Sequence, residues 1–329
     1  MGVLASIFFG FVPMFLFAAF VYWLDRYEKE PKLLLGGVFL WGAVVASAGA
    51  FLINTTFGVG VYFLTGSETA ADLTTSALIA PVIEESLKGL AVLLVFWFVR
   101  RELDSVLDGI IYAAVTALGF AATENAYYIY TYGYAEEGWA GLIGMVFVRV
   151  VLVGWQHPFY TAFTGIGLSI ARLNRGWFVK IAAPLLGLGA AMFTHAMHNT
   201  LASLLGGAAV FLGFFLDWSG WLAMFVFIII LINREKRWLV EYLREEVQLG
   251  ILSPQQYTTA TSATKRALAQ FSALTRGRPG PTARFYQLCA ELAHKKRQLS
   301  TLGDETGNAK EVNQLREEIG RLAPAVFHQ

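Results

Sequence analysis

The residues of this 329-residue chain that could do chemistry are ionisable side chains set inside apolar runs. Glu84, Glu85 and Lys88 interrupt one such run, Asp108 and Glu124 a second, and Arg149 and His157 a third. His195 and His198, with Asn199, interrupt a fourth, and Asp217 lies in a fifth. An ionisable group at the centre of a bilayer costs about 2.5–3.5 kcal/mol on insertion scales, so such residues mark either function or a paired contact. A lone Arg149 or Asp108 is accounted for by an interhelical or interfacial partner, and a lone His198 by a satisfied polar contact. The acids and imidazoles together are a different matter, because on four separate segments they can meet only inside a helix bundle.

Spacing sorts them further. Glu84 and Lys88, four apart, share a helix face and predict an ion pair. Glu85 points about 100° away and is the freer carboxylate, although Lys88 can reach it too. Glu124 follows small residues that let helices approach closely. Pro158 offers a kink that would turn His157 inward, and His195 and Asn199 lie one turn apart. Two carboxylates and two imidazoles suit two chemistries. They can hold zinc, whose bound water falls to a pKa of about 7, with a second glutamate as base. Alternatively a buried glutamate activates water without metal, and His195 and Asn199 stabilise the oxyanion. Either would hydrolyse an acyl bond. No His-Glu-x-x-His motif is present to choose between them. Ser86 has no evident base beside it, and Cys289, the only cysteine, lies far from these runs.

The composition demands long apolar elements to position such groups. Hydrophobic residues make up 56% and charged residues 15% of the chain, against roughly 45–50% and 25% in soluble domains. Nine prolines and one cysteine exclude a collagen, a disordered chain or a disulfide scaffold. Runs near the length of about 20 residues that a bilayer requires fall at 3–24, 33–64, 73–98, 106–131, 140–172, 179–203 and 208–232. The fifth is too long for one straight span, with a kink or break expected at Pro158, and Asp217–Gly220 reads as a turn that shortens the seventh. The first lacks a positive leader region and is expected to stay in place, uncleaved.

Lys and Arg alternate strictly between the connections, with Arg26, Lys29 and Lys32 in the first and none in the second. That alternation puts the N-terminus outside and the C-terminal region in the cytoplasm. An eighth span or a re-entrant piece would break this parity. On this topology Glu84, Glu124 and His195 lie about 16, 10 and 12 Å below the outer surface.

The fold class is therefore all-α: a polytopic transmembrane bundle of about seven spans, over residues 1–232, followed by a small helical tail, residues 233–329. The body carries 10 Lys/Arg against 14 Asp/Glu, and the tail 15 against 10. The tail's basic excess suits anionic lipid headgroups, a cytoplasmic partner, or simply solvated helical faces. Ser253-Pro254 reads as a helix cap, Gly250 as a stop, 276–281 as a linker, and 284–299 and 311–322 as short helices.

At Glu84-Glu85…Lys88, Phe120…Glu124-Asn125, His157 and His195…Asn199, the chain resembles the PrsW-type intramembrane proteases, within the clan of CAAX-processing and bacteriocin-processing membrane proteases. The four motifs occur in order on separate spans, and Asp108 fits as well; His198 stands where an aromatic residue is expected. The resemblance implies endoproteolysis of a membrane-anchored protein substrate in a bacterial plasma membrane. In the namesake group it implies site-1 cleavage of an anti-sigma factor on the outer side. The roles then expected are Glu85 as general base and Glu84 paired with Lys88. Glu124, His157 and His195 are expected to be zinc ligands or water-activating groups, with Asn199 at the oxyanion. The alternative is a proton- or ion-coupled transporter using the same buried acids and histidines; no duplicated halves with matching broken helices support it. No feature points to nucleic acid.

Overall fold

A computed structural model describes residues 1–204, 208–275, 279–304 and 307–326. Among the described residues every regular element is helical. Five stretches are long and apolar enough to cross a membrane: Gly2–Leu24, Lys32–Thr65, Val106–Arg172, Trp177–Ser203 and Leu212–Gln248. The chain divides into two compact units, one of residues 1–23, 30–172 and 176–227, the other of 24–29, 173–175 and 228–329.

In the first unit, helix α1 is Gly2–Leu24 and α2 is Lys32–Leu40, which runs through a wide π turn, Trp41–Ala46, into α3, Ser47–Thr65. A short α4, Glu68–Thr74, leads through a second π turn, Thr75–Ile79, into α5, Ala80–Phe98. Helix α5 carries Glu84, Glu85 and Lys88 and is not among the five apolar stretches. Then follow α6, Val106–Tyr128, a π turn at Ile129–Tyr134, α7, Ala135–Val146, and a π turn at Phe147–Leu152. The unit closes with α8, Gln156–Arg172, α9, Trp177–Leu204, and the first part of α10, Ala208–Tyr242.

The 67-residue stretch Val106–Arg172 would measure about 100 Å if straight. It is broken twice. Gly138 takes a positive φ of 62° that L side chains rarely adopt, and residues 153–155 are non-helical. The expected kink at Pro158 is therefore displaced upstream. Pro158 sits in the first turn of α8, where a helix needs no N–H from it. His157 accordingly opens a helix instead of sitting in the middle of one. The turn expected at 217–220 is also absent, because α10 passes through it unbroken. The expected outer loop at 204–207 falls mostly outside the described residues.

Helix α6 is the hub, buried along its whole length from Val106 to Ala122. Apolar on every side, it must be surrounded by other helices. Its N-terminus is closed by a capping box. Ser105 Oγ accepts from the Leu107 and Asp108 amides, and Asp108 accepts in return from the Ser105 amide at 2.6 Å. That accounts for Asp108 as a structural group. Glycines set how closely α6 and α8 approach: a Cβ on Gly165 would lie 2.0 Å from the Gly109 carbonyl oxygen. This close crossing brings Glu124 near His157.

The second unit gathers the end of α10 with α11, Arg244–Gln248, α12, Pro254–Ala260, α13, Ala263–Thr275, α14, Pro279–Leu302, and α15, Asn308–Val326. Leu239, Leu243, Phe285, Leu288, Cys289, Leu292, Val312 and Ile319 form its core. Gly250 terminates α11 with φ 70°, and Ser253 and Gln256 form a reciprocal cap on α12. Of the expected linker at 276–281, residues 276–278 lie outside the described residues, and Pro279 already begins α14.

Candidate active site

Four helices and a π turn deliver the polar side chains of the first unit to one place. Helix α5 supplies Glu84, Glu85 and Lys88, α6 supplies Glu124 and Asn125, α8 supplies His157, and α9 supplies His195, His198 and Asn199. The Phe147–Leu152 turn supplies Arg149. Such π segments recur at functional sites because the extra residue re-aims a side chain.

Lys88 makes the expected ion pair with Glu84 but lies closer to Glu85. Lys88 Nζ lies 2.6 Å from Glu85 Oε1 and 3.8 Å from Glu84 Oε2. The i,i+3 partner wins because Lys88 also reaches His157 Nδ1 at 3.1 Å and rests 4.4 Å from the centre of the Phe120 ring, which draws the ammonium to Glu85's side of the helix. Glu85 is fully buried and saturated, accepting from Thr161 Oγ1 at 2.8 Å and pairing with His195 Nδ1 at 2.9 Å. Glu84 is the carboxylate left over. Its Oε1 meets Asn54 Nδ2 only at 3.5 Å, and its buried Oε2 has no hydrogen-bond partner.

Glu124 Oε2 receives His157 Nε2 at 2.8 Å and the Arg149 guanidinium. Arg149 also donates to Asn125 Oδ1 at 3.0 Å and lies over the Tyr128 ring. Tyr160 stacks on His195 with ring centres 5.0 Å apart. Asn199 donates one amide hydrogen to the Ser76 carbonyl at 2.8 Å. A second polar knot stands beside these groups. Asp217 receives Gln156 at 2.6 Å and Tyr160 at 3.3 Å, and pairs with His198 Nδ1 at 2.6 Å.

A cavity of about 950 Å³ opens onto this arrangement. Glu84, Glu124, Arg149, His157, His195, His198 and Asn199 line it, while Glu85 and Lys88 stand behind its wall. Tyr127, Tyr128 and Tyr132, with Glu68 and Asp72, form another part of the lining.

The expected metal set was Glu124, His157 and His195, whereas one donor atom each from Glu84, His157 and His195 lies within 4.8 Å of the others. This set fits a divalent ion of the zinc type. Glu84 Oε2 is buried without a hydrogen-bond partner, and His195 has its Nδ1 on a carboxylate, as metal-bound histidines commonly do, leaving Nε2 available 3.9 Å from Glu84. Both His157 nitrogens are engaged, Nε2 by Glu124 and Nδ1 by Lys88, so Lys88 is the competing cation that a metal on Nδ1 would have to displace. Sequence spacing missed the part played by Thr161, Tyr160, Gln156 and Asp217. For Gln156, Tyr160 and Thr161 the available signal was polar residues within about one turn of His157 in an apolar run. Asp217 stands 19 residues from the nearest histidine and carried no such signal.

The sequence profile of the family described as PrsW family intramembrane metalloproteases matches residues 30–232. The chain is similar to the Protease PrsW of Bacillus subtilis strain 168, 27% identical over 169 residues, which is 50% of this chain and 68% of that protein. It is 34% identical over 108 residues to the Protease PrsW of Clostridioides difficile strain 630, covering 32% of this chain and 43% of the relative. It is 25% identical over 174 residues to the Protease PrsW of Oceanobacillus iheyensis, covering 52% and 71%. No solved structure matches. These similarities do not favour the transporter alternative.

Proposed function

The chain belongs to the PrsW family of intramembrane metalloproteases, and from that premise we propose that it cleaves membrane-anchored protein substrates near the outer half of the bilayer. The substrate class includes a single-pass anti-sigma factor cut in site-1 fashion. The observation that carries this reading is the meeting of Glu84, His157 and His195 on one cavity with Glu84 Oε2 making no hydrogen bond. Outer-side cleavage is supported by the tyrosines of the same cavity, which belong to the segment that the charge alternation assigns to the outer boundary. The proposed topology is seven spans with the N-terminus outside, a protease core over 1–232 and a cytoplasmic tail over 233–329.

In this mechanism Glu84, His157 and His195 would hold the metal, most simply zinc. When bound, it supplies an acidified water and polarises the scissile carbonyl. The chain's own residues do the rest. Glu124 has Oε2 fixed by His157 and Arg149 and no partner at Oε1, so Oε1 takes the proton from the attacking water. Asn199, with one amide hydrogen tied to Ser76, keeps the other for the oxyanion. Glu85 is a positioning residue: it fixes the His195 ring and neutralises Lys88. Glu85 thus takes the close pairing with Lys88 expected of Glu84, Glu84 takes the ligand place expected of Glu124, and Glu124 becomes the base.

The test is elemental analysis of purified full-length protein beside Glu84→Ala, His157→Ala and His195→Ala, supplied with zinc and without chelator. About one zinc per chain, lost in all three variants, is the expected result for a single structural set of ligands. No bound metal in the parent protein would overturn the ligand assignment and leave Glu84 and Glu124 to activate water directly. Cleavage itself is read by co-expressing tagged single-pass reporters with the parent and variants.

A further inference from the structure

The second unit turns one apolar face outward. On α13, Leu268, Phe271 and Leu274 are each at least 60% exposed. Their spacing of three places them on one side of the helix. The opposite side is spoken for: Ala273 and Arg266 are buried, and Ala269 packs on the core around Phe285 and Tyr286. Large apolar side chains in a row, with nothing in their own unit to cover them, ask for an occupant.

The charge around the stripe says what kind. Residues 247–290 contain no aspartate or glutamate, while Lys265 lies on α13 and Arg276 and Arg278 follow it directly in sequence. A second copy of the same stripe would bring like charges together. An anionic surface would meet both the apolar row and its basic flanks. Such a surface is always at hand, because α10 continues from the apolar stretch beginning at Leu212 into this unit and so tethers it to a bilayer. Helices with a large apolar face and basic flanks bind lipid in this way, lying in the interface plane.

We propose that α13 docks on the anionic lipid surface of the membrane through Leu268, Phe271 and Leu274. The tail is thereby an interfacial module held down at two places, by α10 and by α13.

The experiment uses the full-length protein in nanodiscs holding one chain, with an environment-sensitive fluorophore at Phe271→Cys and, as the wet control, at exposed Gln314→Cys. The native Cys289 is buried, and burial pushes its thiol up to about 12, so it does not compete for label. In discs rich in phosphatidylglycerol the probe at 271 is expected to shift to shorter wavelength and to be quenched by iodide about threefold less than the probe at 314. In phosphatidylcholine discs, and in a Leu268→Glu/Leu274→Glu background, that protection is expected to disappear. Equal quenching at 271 and 314 in the anionic discs would overturn the proposal. So would protection of equal size in neutral discs, or protection seen only in discs loaded with two chains, which would identify a second copy as the occupant. None of these readings depends on proteolysis, so they stand apart from the assignment of the active site.

Discussion

Glu85 in the first unit and Glu246 in the second are both glutamates without solvent exposure, and both are held by cations. Around Glu246 every charge is answered. Lys296 donates at 2.6 Å and Arg316 donates through Nε and Nη2 at 2.9 Å, while the neighbouring Glu245 lies half-exposed and takes up the remaining donors. Around Glu85 the pairing is equally tight, yet the next carboxylate along the same helix, Glu84, keeps a buried oxygen with no hydrogen bond beside a cavity. Burial and ion pairing are common to structural and chemical sites. The difference lies in what is left unsatisfied, and whether a substrate-sized space adjoins it.

The largest effects that could break this comparison come from removing the two kinds of glutamate. Glu84→Gln is expected to abolish cleavage of a co-expressed reporter while the thermal midpoint, compared after chelation of both proteins, stays within about 1 °C, since Glu84 Oε2 makes no hydrogen bond. Glu85→Gln is expected to abolish cleavage as well, but to cost about 3 kcal/mol of stability because buried Lys88 loses its carboxylate at 2.6 Å and keeps only Glu84 at 3.8 Å. Cleavage retained by Glu84→Gln, or an unshifted midpoint for Glu85→Gln, would reverse the roles assigned to them.

Glu246→Gln carries the same logic into the tail. It is expected to cost about 3 kcal/mol in the unfolding of the second unit, followed by proteolysis of its helices, because Lys296 and Arg316 lose their buried partner and keep only the half-exposed Glu245. Reporter cleavage by the folded fraction should persist. A variant that stayed folded but inactive would show the tail's charge cluster to be part of the chemistry after all.

These contrasts explain what the sequence could reveal and what it could not. Apolar runs and the positions of Glu84, Glu124, His157 and His195 are one-dimensional facts, and the all-helical bundle with its convergent polar interior follows from them. The choice of Lys88's partner is not, because i,i+3 and i,i+4 pairs both lie within reach and the decision belongs to His157 and Phe120 on other helices. Arg149's place at Glu124 depends on a π turn, and π turns have no strong sequence signature. Asp217 suggested a turn because Asp-Trp-Ser-Gly has turn composition; in the structure Asp217 is buried in a continuous helix by Gln156, Tyr160 and His198. Tertiary partners overrode a local preference there.

That knot gives an effect of intermediate size. Asp217 touches no cavity-facing ligand atom directly, but it holds Tyr160, which stacks on His195. Asp217→Asn is expected to lower reporter cleavage about 10–100-fold, the range seen when outer-shell partners of metal ligands are removed. Zinc content measured beside activity separates positioning from simple unfolding. A folded variant with full activity would make the knot structural, like the Ser105–Asp108 cap.

The smallest expected effect tests whether the two interiors differ in access as well as in pairing. Ser203 lines the cavity, whereas Cys289 is wholly buried in the tail core and its thiol is pushed up to about 12 by that burial. Reactivity follows the thiolate and its exposure, so Ser203→Cys should be alkylated by a small water-soluble maleimide in the folded protein, and Cys289 should not until denaturant is added. Labelling at position 203 is not expected to shift the midpoint measurably, since Ser203 lines the cavity and nothing packed is displaced there. Rapid labelling of Cys289 under native conditions would mean that the tail core opens readily. Its saturated charges would then not be the sign of a closed structural interior, and the contrast with the active site would fail at its structural end.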